Sequence, residues 1–250
     1  MKYRLLLMDL DDTLTPNLGM PPREFVPSPK LKSALGKATQ LLKVGLCTGR
    51  DKDTVLKVVK TLQLNSPQII EGGAKIIDIQ GQILWVKYIS FPSVNTIISL
   101  LQTLKRSFSI IVDGVEIVDK IPAQNLDRIT AVLLYDLTAL ELISIRTFLL
   151  NSKDITLAVN QDRTGNTVYI THKEGTKAQG VQQLQTLLNI SKNETIGVGD
   201  GNNDIQLLTQ CGFKVAMGNS VADLKSIADY IAPSVKEDGM VDVIRNYLKI

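Results

Sequence analysis

The first dozen residues of the chain constrain its fold more than any other segment. A short apolar run from Leu5 to Met8 leads directly into the carboxylates Asp9, Asp11 and Asp12, which predicts a buried strand that ends in acidic residues. Three carboxylates at the end of a buried strand repel one another and lose hydration, so they require a cation or another compensating charge nearby. Because ligands of open α/β sheets bind at the carboxyl ends of the strands, we predict a cation-dependent site on the first strand.

Strand and helix patterns alternate in the first third of the chain and again in the last third. Ser28-Pro29 has the sequence of an N-cap followed by proline at the first helical position. The alternation predicts a parallel sheet with helices on its faces. The predicted elements of these two parts are a loop at 12–27, strands at 44–47, 68–71, 195–198 and 213–217, and helices beginning at 29, just before 55 and near 176.

The middle of the chain has a different pattern, in which short strands and two helices lack polar strand ends. The predicted helices lie at 94–104 and 138–150, a polar loop follows residue 112, and the predicted strands lie at 108–112, 129–135, 155–159 and 167–171. We therefore predict the α/β class, with a Rossmann-like parallel-sheet core formed by residues 1–82 and 173–250. An α+β module of residues 83–172 would be inserted into this core.

Composition excludes several classes of function. Aromatic residues make up 5% of the 250 residues, which argues against a base-stacking surface for nucleic acid. No segment approaches the roughly 18 apolar residues of a membrane span, and the run at residues 5–8 is too short for a signal-peptide core. The two cysteines, Cys47 and Cys211, lack metal-ligand spacing and are expected to be buried, reduced thiols. We expect a soluble, cytoplasmic protein that is a monomer or a homodimer.

Polar clusters follow the predicted strands or begin the predicted helices of the core, and their chemistry is that of phosphoryl transfer. A carboxylate can attack phosphorus to give an aspartyl-phosphate, and Mg²⁺ prefers carboxylate, phosphate and water oxygens as ligands. A hydroxyl and an ammonium group can stabilise the charge on the equatorial phosphoryl oxygens. The clusters are Asp9, Asp11 and Asp12; Thr48; Lys177; and Asp200, Asn203 and Asp204.

These segments resemble, in order, the signature motifs of the haloacid dehalogenase (HAD) superfamily. The inserted module resembles by position the α/β cap, type C2B, of its Cof-like, type IIB branch, and the segments 217–220 and 237–239 are similar to that branch as well. The motif residues are Asp9-Leu-Asp11-Asp12-Thr13-Leu14-Thr15, Thr48-Gly49-Arg50, Lys177 and Gly199-Asp200-Gly-Asn-Asn203-Asp204. The resemblance implies a Mg²⁺-dependent phosphatase that acts on a small phosphorylated metabolite, such as a sugar phosphate or phosphoglycolate.

The resemblance also implies a role for each motif residue. Asp9 would be the nucleophile and a metal ligand. Asp11 would act first as the acid that protonates the leaving oxygen and then as the base that activates water, with its backbone carbonyl on the metal. Residues i and i+2 of a strand point to the same side, so both carboxylates can face one phosphoryl group. The resemblance further implies phosphate contacts from Thr48, Gly49, Lys177 and Asn203, and metal contacts from Asp200 and Asp204.

Other functions stay open at this point. A phosphomutase of the phosphomannomutase kind shares the branch and its cap, but such enzymes resemble Gly-Gly-Ser-Asp at the second motif, where this chain has Cys47-Thr48-Gly49-Arg50. A non-enzymatic phospho-receiver also uses acidic residues, a threonine and a lysine, but is about half as long. The acid at position 11 argues against a dehalogenase, because dehalogenases of the superfamily lack it.

Several nearby residues are expected to have only structural roles. Asp12 would stabilise its loop, Arg50 would cap or form a surface salt bridge, and His172 would end a strand. The arginines Arg128 and Arg163 could meet an anionic substrate, but an exposed surface charge is the favoured expectation for both. The chain departs from the Cof-like pattern at two positions, with Gly72 in the place of an asparagine and Ala178 in the place of a glycine.

Overall fold

The computed structural model describes residues 2–19, 24–161 and 166–248. The strands are β1 (Leu5–Met8), β2 (Lys43–Leu46), β3 (Gln68–Ile70), β4 (Lys75–Ile77), β5 (Ile83–Val86), β6 (Phe108–Val112), β7 (Val115–Val118), β8 (Ile129–Leu137), β9 (Ile155–Gln161), β10 (Asn166–His172), β11 (Thr195–Gly199), β12 (Phe213–Ala216) and β13 (Tyr230–Ile231). The helices are α1 (Pro29–Ala38), α2 (Lys52–Leu62), α3 (Phe91–Thr103), α4 (Ala139–Leu149), α5 (Lys177–Leu188), α6 (Ile205–Leu208), α7 (Ala222–Ile227) and α8 (Gly239–Leu248). Short 3-10 helices include Glu71–Gly73 and Asn202–Asp204.

A parallel sheet with strand order β13-β12-β11-β1-β2 forms the centre of the molecule. All four residues of β1 are buried, because the strand is covered on both faces. A parallel bridge between Cys47 and Ile69 continues the arrangement towards β3. The predicted α/β class with a parallel-sheet core is therefore confirmed.

The helices of this core begin where the sequence predicts. Ser28 caps α1 by accepting a hydrogen bond from the N–H of Leu31 at 3.1 Å. The residues of α1 that pack on the sheet recur at helical spacing, and they are Leu31, Ala34, Leu35 and Ala38. Asp51 caps α2 in the same way through the N–H of Thr54. Cys47 and Cys211 are buried free thiols, as expected, and burial raises the pKa of Cys47 to about 12.

A small antiparallel sheet of β3, β4 and β5 was not predicted. Its hairpin turn is closed by Asp78, whose Oδ1 accepts hydrogen bonds from the backbone of Gln80 and Gln82, and by Gly81 with φ of 86°. The strands have three and four residues, too few to show a clear alternation of apolar and polar positions. Residues Ile83–Val86 thus pair with the sheet of β3, although the predicted module begins at residue 83. The division at 82/83 and 172/173 stays a prediction.

A five-stranded antiparallel sheet has the order β7-β6-β8-β10-β9. It is called the second sheet below. Helices α3 and α4 contribute to a hydrophobic cluster on one of its faces. Here the prediction of a polar loop after residue 112 was wrong, because the segment contains the strand β7, which follows a tight turn at Asp113-Gly114. β7 is an edge strand with exposed Val115 and Val118, so burial leaves no pattern in its sequence. In the described part of the chain, no helix is long and apolar enough to span a membrane.

Candidate active site

The acidic residues predicted for the site meet at the carboxyl ends of two neighbouring strands. Asp9 directly follows β1, and its N–H donates to the carbonyl of Val198 in β11 at 2.9 Å. Asp200 directly follows β11. Since β1 and β11 are parallel neighbours, the two carboxylates lie at the same edge of the sheet.

Lys177 connects the acidic residues. Its Nζ lies 2.7 Å from Oδ1 of Asp9 and 2.6 Å from Oδ1 of Asp204, and its side chain is 2% exposed. Burial lowers the pKa of Lys177, but the charges of Asp204 and Asp9 outweigh this effect and hold the pKa well above its ordinary value. Burial raises the pKa of Asp9 well above its ordinary value, although Lys177 opposes the shift. The ammonium group is therefore a permanent positive charge beside Asp9.

The position of Lys177 depends on a close contact between two segments. Thr176 caps α5 by accepting a hydrogen bond from the N–H of Gln179 at 3.3 Å, which places Lys177 in the first turn. Gly73 packs against this turn with φ of 108°, and a Cβ on it would lie 2.1 Å from the carbonyl carbon of Thr176. Only glycine allows both this conformation and this approach.

Asp9, Asp200 and Asp204 could hold a metal ion, because one oxygen of each lies within 4.8 Å of the others. Oδ2 of Asp204 accepts from the N–H groups of Asp200 and Gly201, both at 3.0 Å, and its Oδ1 accepts from Lys177. Both carboxylate oxygens of Asp204 thus accept hydrogen bonds from the protein, and these bonds hold the side chain in place.

Two carboxylate oxygens of this cluster accept no hydrogen bond within the part of the chain that the structure describes. Oδ1 of Asp200 accepts from the hydroxyl of Thr13 at 2.9 Å, and Oδ1 of Asp9 accepts from Lys177. The Oδ2 atoms of Asp9 and Asp200 accept no hydrogen bond from the described residues, so they can coordinate a cation. Burial and the charge of Asp204 raise the pKa of Asp200 to about 7. The all-oxygen donor set suits a hard divalent ion.

Asp11 lies apart from this cluster and is bound by Arg50. Nε of Arg50 donates to Oδ2 of Asp11 at 2.7 Å, and Nη2 donates to Oδ1 at 2.8 Å. The backbone N–H of Leu18 also donates to Oδ1 at 2.8 Å. The expected surface role of Arg50 was wrong, because its side chain is 12% exposed and makes a bidentate pair with a predicted catalytic residue. The metal contact predicted for the backbone carbonyl of Asp11 stays a prediction.

Thr48 and Gly49 form a loop that backbone hydrogen bonds fix between β2 and the segment after β3. The N–H of Thr48 donates to the carbonyl of Ile69 at 3.0 Å, and the N–H of Gly72 donates to the carbonyl of Thr48 at 3.1 Å. The hydroxyl of Thr48 accepts from the N–H of Arg50 at 3.2 Å. Gly72, at the position where the related pattern has asparagine, has φ of 70°. This left-handed conformation suits glycine and also asparagine.

One pocket joins the predicted phosphate-binding residues to the second sheet. Its cavity volume of about 20 Å³ holds roughly one water molecule. The side towards the second sheet is neutral and rich in hydroxyl groups. The lining residues are Gly49, Gly72, Thr176, Lys177, Asn203 and Gln206 from the core, and Thr156, Ala158, Tyr169 and Thr171 from the second sheet.

Sequence reasoning missed Tyr169. Its hydroxyl lies so close to Gly49 that a Cβ on this glycine would be 2.3 Å away. Burial raises the pKa of Tyr169, and the positive charges of Arg50 and Lys177 oppose the shift. The alternation in β10, with buried Val168 and Ile170, indicates a strand with two faces. The alternation does not indicate what the other face of the strand, which carries Tyr169, contacts.

The residues expected to be structural lie mostly where predicted. Asp12 stabilises its loop through the N–H of Asn17, and His172 ends β10. Arg128 is exposed and pairs with Asp113. Arg163 lies outside the described residues.

Comparison with known proteins identifies the family. A family model described as haloacid dehalogenase-like hydrolase matches residues 6–131 and 115–244. The chain belongs to the haloacid dehalogenase-like hydrolase family. The resemblance inferred from the motifs is thereby confirmed, whereas the roles of the motif residues in this HAD-like hydrolase stay predictions.

This HAD-like hydrolase is similar in sequence to named phosphatases. Over 86 residues it is 38% identical to phosphoglycolate phosphatase 1 of Saccharolobus solfataricus, and the match covers 34% of this chain and 38% of that protein. Over 73 residues it is 44% identical to the 5-amino-6-(5-phospho-D-ribitylamino)uracil phosphatase YbjI of Escherichia coli, and the match covers 29% of this chain and 27% of that protein. The matches therefore span less than half the length of these relatives. The solved structure of BT4131, a HAD subclass IIB sugar phosphatase, has the same fold, with a TM-score of 0.80 at 21% identity over 99% of this chain and 100% of that one.

Proposed function

We propose that this HAD-like hydrolase is a Mg²⁺-dependent phosphatase that hydrolyses a small phosphomonoester through an aspartyl-phosphate on Asp9. The observation that carries the proposal is the arrangement around Asp9, which contacts the ammonium group of Lys177 and lies within 4.8 Å of the other two acids of the cluster. The phosphatase names of the relatives, which match about a third of the chain, also support it.

In the first step, Asp9 attacks the phosphorus of the ester. Because Lys177 binds Oδ1 of Asp9, its Oδ2 is the oxygen that can face the substrate. A bond forms between this oxygen and phosphorus, the bond to the leaving oxygen breaks with its electron pair, and Asp11 supplies the proton that the leaving oxygen takes up. Lys177 offsets the negative charge that approaches Asp9.

In the second step, water attacks the phosphorus of the aspartyl-phosphate. Asp11, now ionised, takes the proton of this water, and the bond between phosphorus and Asp9 breaks to release inorganic phosphate. Arg50 fixes the direction of the Asp11 carboxylate through two hydrogen bonds. Arg50 is thus a positioning residue for the base.

The phosphoryl group would be bound where the lining residues of the pocket meet the acidic cluster. Thr48, Gly49, Lys177 and Asn203 are the proposed contacts, of which three line the pocket and Thr48 directly precedes Gly49. Asp200 would hold Mg²⁺ through its Oδ2, together with the oxygen of Asp9 that does not attack phosphorus, and Asp204 would keep Asp200 in place through the N–H of Asp200. When bound, Mg²⁺ supplies positive charge that reduces the repulsion between Asp9 and the phosphoryl group.

The test is phosphate release from p-nitrophenyl phosphate, sugar phosphates and phosphoglycolate, with Mg²⁺ and with EDTA. We expect Asp9→Asn to reduce release by at least about a thousandfold, because the amide of asparagine cannot form the aspartyl-phosphate. Asp12→Asn is the matched control, since the Asp12 carboxylate accepts a hydrogen bond from the N–H of Asn17 and from no other donor among the described residues. It should keep most of the activity.

Two outcomes would refute this function. Release that persists in Asp9→Asn would exclude the aspartyl-phosphate mechanism. Conversion of one hexose phosphate into another without release of phosphate would favour the phosphomutase, and a stable phosphorylated protein without turnover would favour the phospho-receiver.

A further inference from the structure

One face of the second sheet points towards the active site, and strand register determines which side chains share it. Tyr169 pairs with Leu133, which pairs with Ser109, and Ile111 pairs with Glu116. Cross-strand partners point to the same side of a sheet. Since Tyr169 and Ile111 pack in one cluster on this side, Glu116 and Ser109 share it as well.

Tyr135 belongs to the same face and connects Glu116 to it. Its hydroxyl donates to Oε1 of Glu116 at 3.2 Å and lies 3.1 Å from the hydroxyl of Ser109. Oε2 of Glu116 has no hydrogen-bond donor among the described residues. Glu116 is only partly buried, so this oxygen can accept a hydrogen bond from a ligand.

Glu116 follows a turn that lies against the core, where a Cβ on Gly114 would be 3.5 Å from Oε1 of Glu71 and from Cβ of Lys52. Its charge adds to the effects that raise the pKa of Arg50 and of Tyr169, and Asp11 acts on the same two groups. Arg50 binds Asp11, and the Tyr169 hydroxyl lies on Gly49. Glu116 therefore lies on the face of the second sheet that carries Tyr169 and on the side of the core that carries Arg50 and Asp11.

The polar groups on this face are a carboxylate and hydroxyls. A neutral, polyhydroxylated leaving group could donate to Glu116 and exchange hydrogen bonds with the hydroxyls of Tyr135 and Tyr169. A leaving group with a carboxylate would place its charge near Glu116. The two cations on this side of the core already bind carboxylates, Lys177 those of Asp9 and Asp204 and Arg50 that of Asp11. Two like charges close together in a partly buried site disfavour binding.

We propose that Glu116, supported by Tyr135 and Tyr169, is a specificity-determining residue that selects phosphate esters of neutral polyols and sugars against esters that carry a carboxylate. This inference rests on the proposed phosphatase function. It concerns only the leaving group, since the phosphoryl group is bound by other residues.

The experiment compares sorbitol 6-phosphate with 6-phosphogluconate, which differ only in a hydroxymethyl group against a carboxylate. We expect kcat/KM of the protein with Mg²⁺ to favour sorbitol 6-phosphate at least about tenfold. Glu116→Gln keeps the shape and the hydrogen bond of Tyr135 but removes the charge. It should narrow the preference about tenfold, mainly through a lower KM for 6-phosphogluconate.

Asp136→Asn is the matched control, because Asp136 follows Tyr135 and is exposed. It should leave the preference unchanged. p-Nitrophenyl phosphate has neither the hydroxymethyl group nor the carboxylate, so its hydrolysis reports on the phosphatase function alone and separates the two proposals. Its rate of hydrolysis should be equal in the unaltered protein, in Glu116→Gln and in Asp136→Asn. Equal rates for the two sugar derivatives in the unaltered protein, or a preference that Glu116→Gln does not change, would overturn the inference while that hydrolysis persists.

Discussion

A buried ion pair joins the segment after β3 to β4 and to the second sheet. Nζ of Lys75 lies 2.8 Å from Oε1 of Glu71, and the two side chains are 1% and 0% exposed. The hydroxyl of Thr130, in β8, donates to the other oxygen of Glu71. The N–H of Glu71 also donates to the carbonyl of Arg50 at 3.1 Å. The ion pair therefore lies next to the loop that follows β2 and carries Thr48, Gly49 and Arg50.

Replacing Lys75 with methionine removes the ammonium group and keeps most of the volume of the side chain. Glu71 would then be a buried carboxylate whose only side-chain partner among the described residues is Thr130. Removing one partner of a buried ion pair costs about 3–5 kcal/mol, a large part of the roughly 5–15 kcal/mol of a typical domain. The double variant Glu71→Gln/Lys75→Met removes both charges and should lie within about 1 kcal/mol of the unaltered protein.

The free energy of unfolding can be measured by urea denaturation, followed by the fluorescence of Trp85, the single tryptophan, and by circular dichroism. Lys87→Met is the matched control, because Lys87 and Glu174 form an exposed pair with side chains 36% and 50% exposed. Exposed pairs contribute about 0–1 kcal/mol. If Lys75→Met lost no more stability than Lys87→Met, or if the double variant were as unstable as the single one, the argument from buried charge would be refuted.

Two further predictions concern the site. Because protons compete with the cation at Asp200, whose pKa is about 7, the Mg²⁺ dissociation constant from calorimetry should rise roughly tenfold per pH unit below pH 7. The raised pKa also means that the metal-free protein loses stability as pH rises towards 7, so Mg²⁺ should raise Tm more at pH 8 than at pH 6. Arg50→Lys should lower kcat about ten- to a hundredfold at unchanged Tm, because lysine cannot hold both oxygens of Asp11. An affinity independent of pH, or an unchanged kcat, would contradict these predictions.

Elements with strong local signals were predicted well. The apolar run before Asp9, the cap at Ser28 and the cap at Thr176 each depend on interactions within a few residues. The hairpin of β4 and β5 and the edge strand β7 were missed, because short or exposed strands need not alternate. Their pairing partners, which lie elsewhere in the chain, stabilise them.

The same distinction applies to the site. Residue types and their order were enough to predict that Asp9 and Asp200 would lie together, since strand ends of a parallel sheet meet at one edge. The pairing of Arg50 with Asp11 and the contact of Tyr169 with Gly49 could not be read from the chain. They depend on how the loop after β1 folds back and on how the second sheet packs over the first. Such contacts join residues distant in sequence, so their geometry follows from packing and strand register and leaves no local pattern.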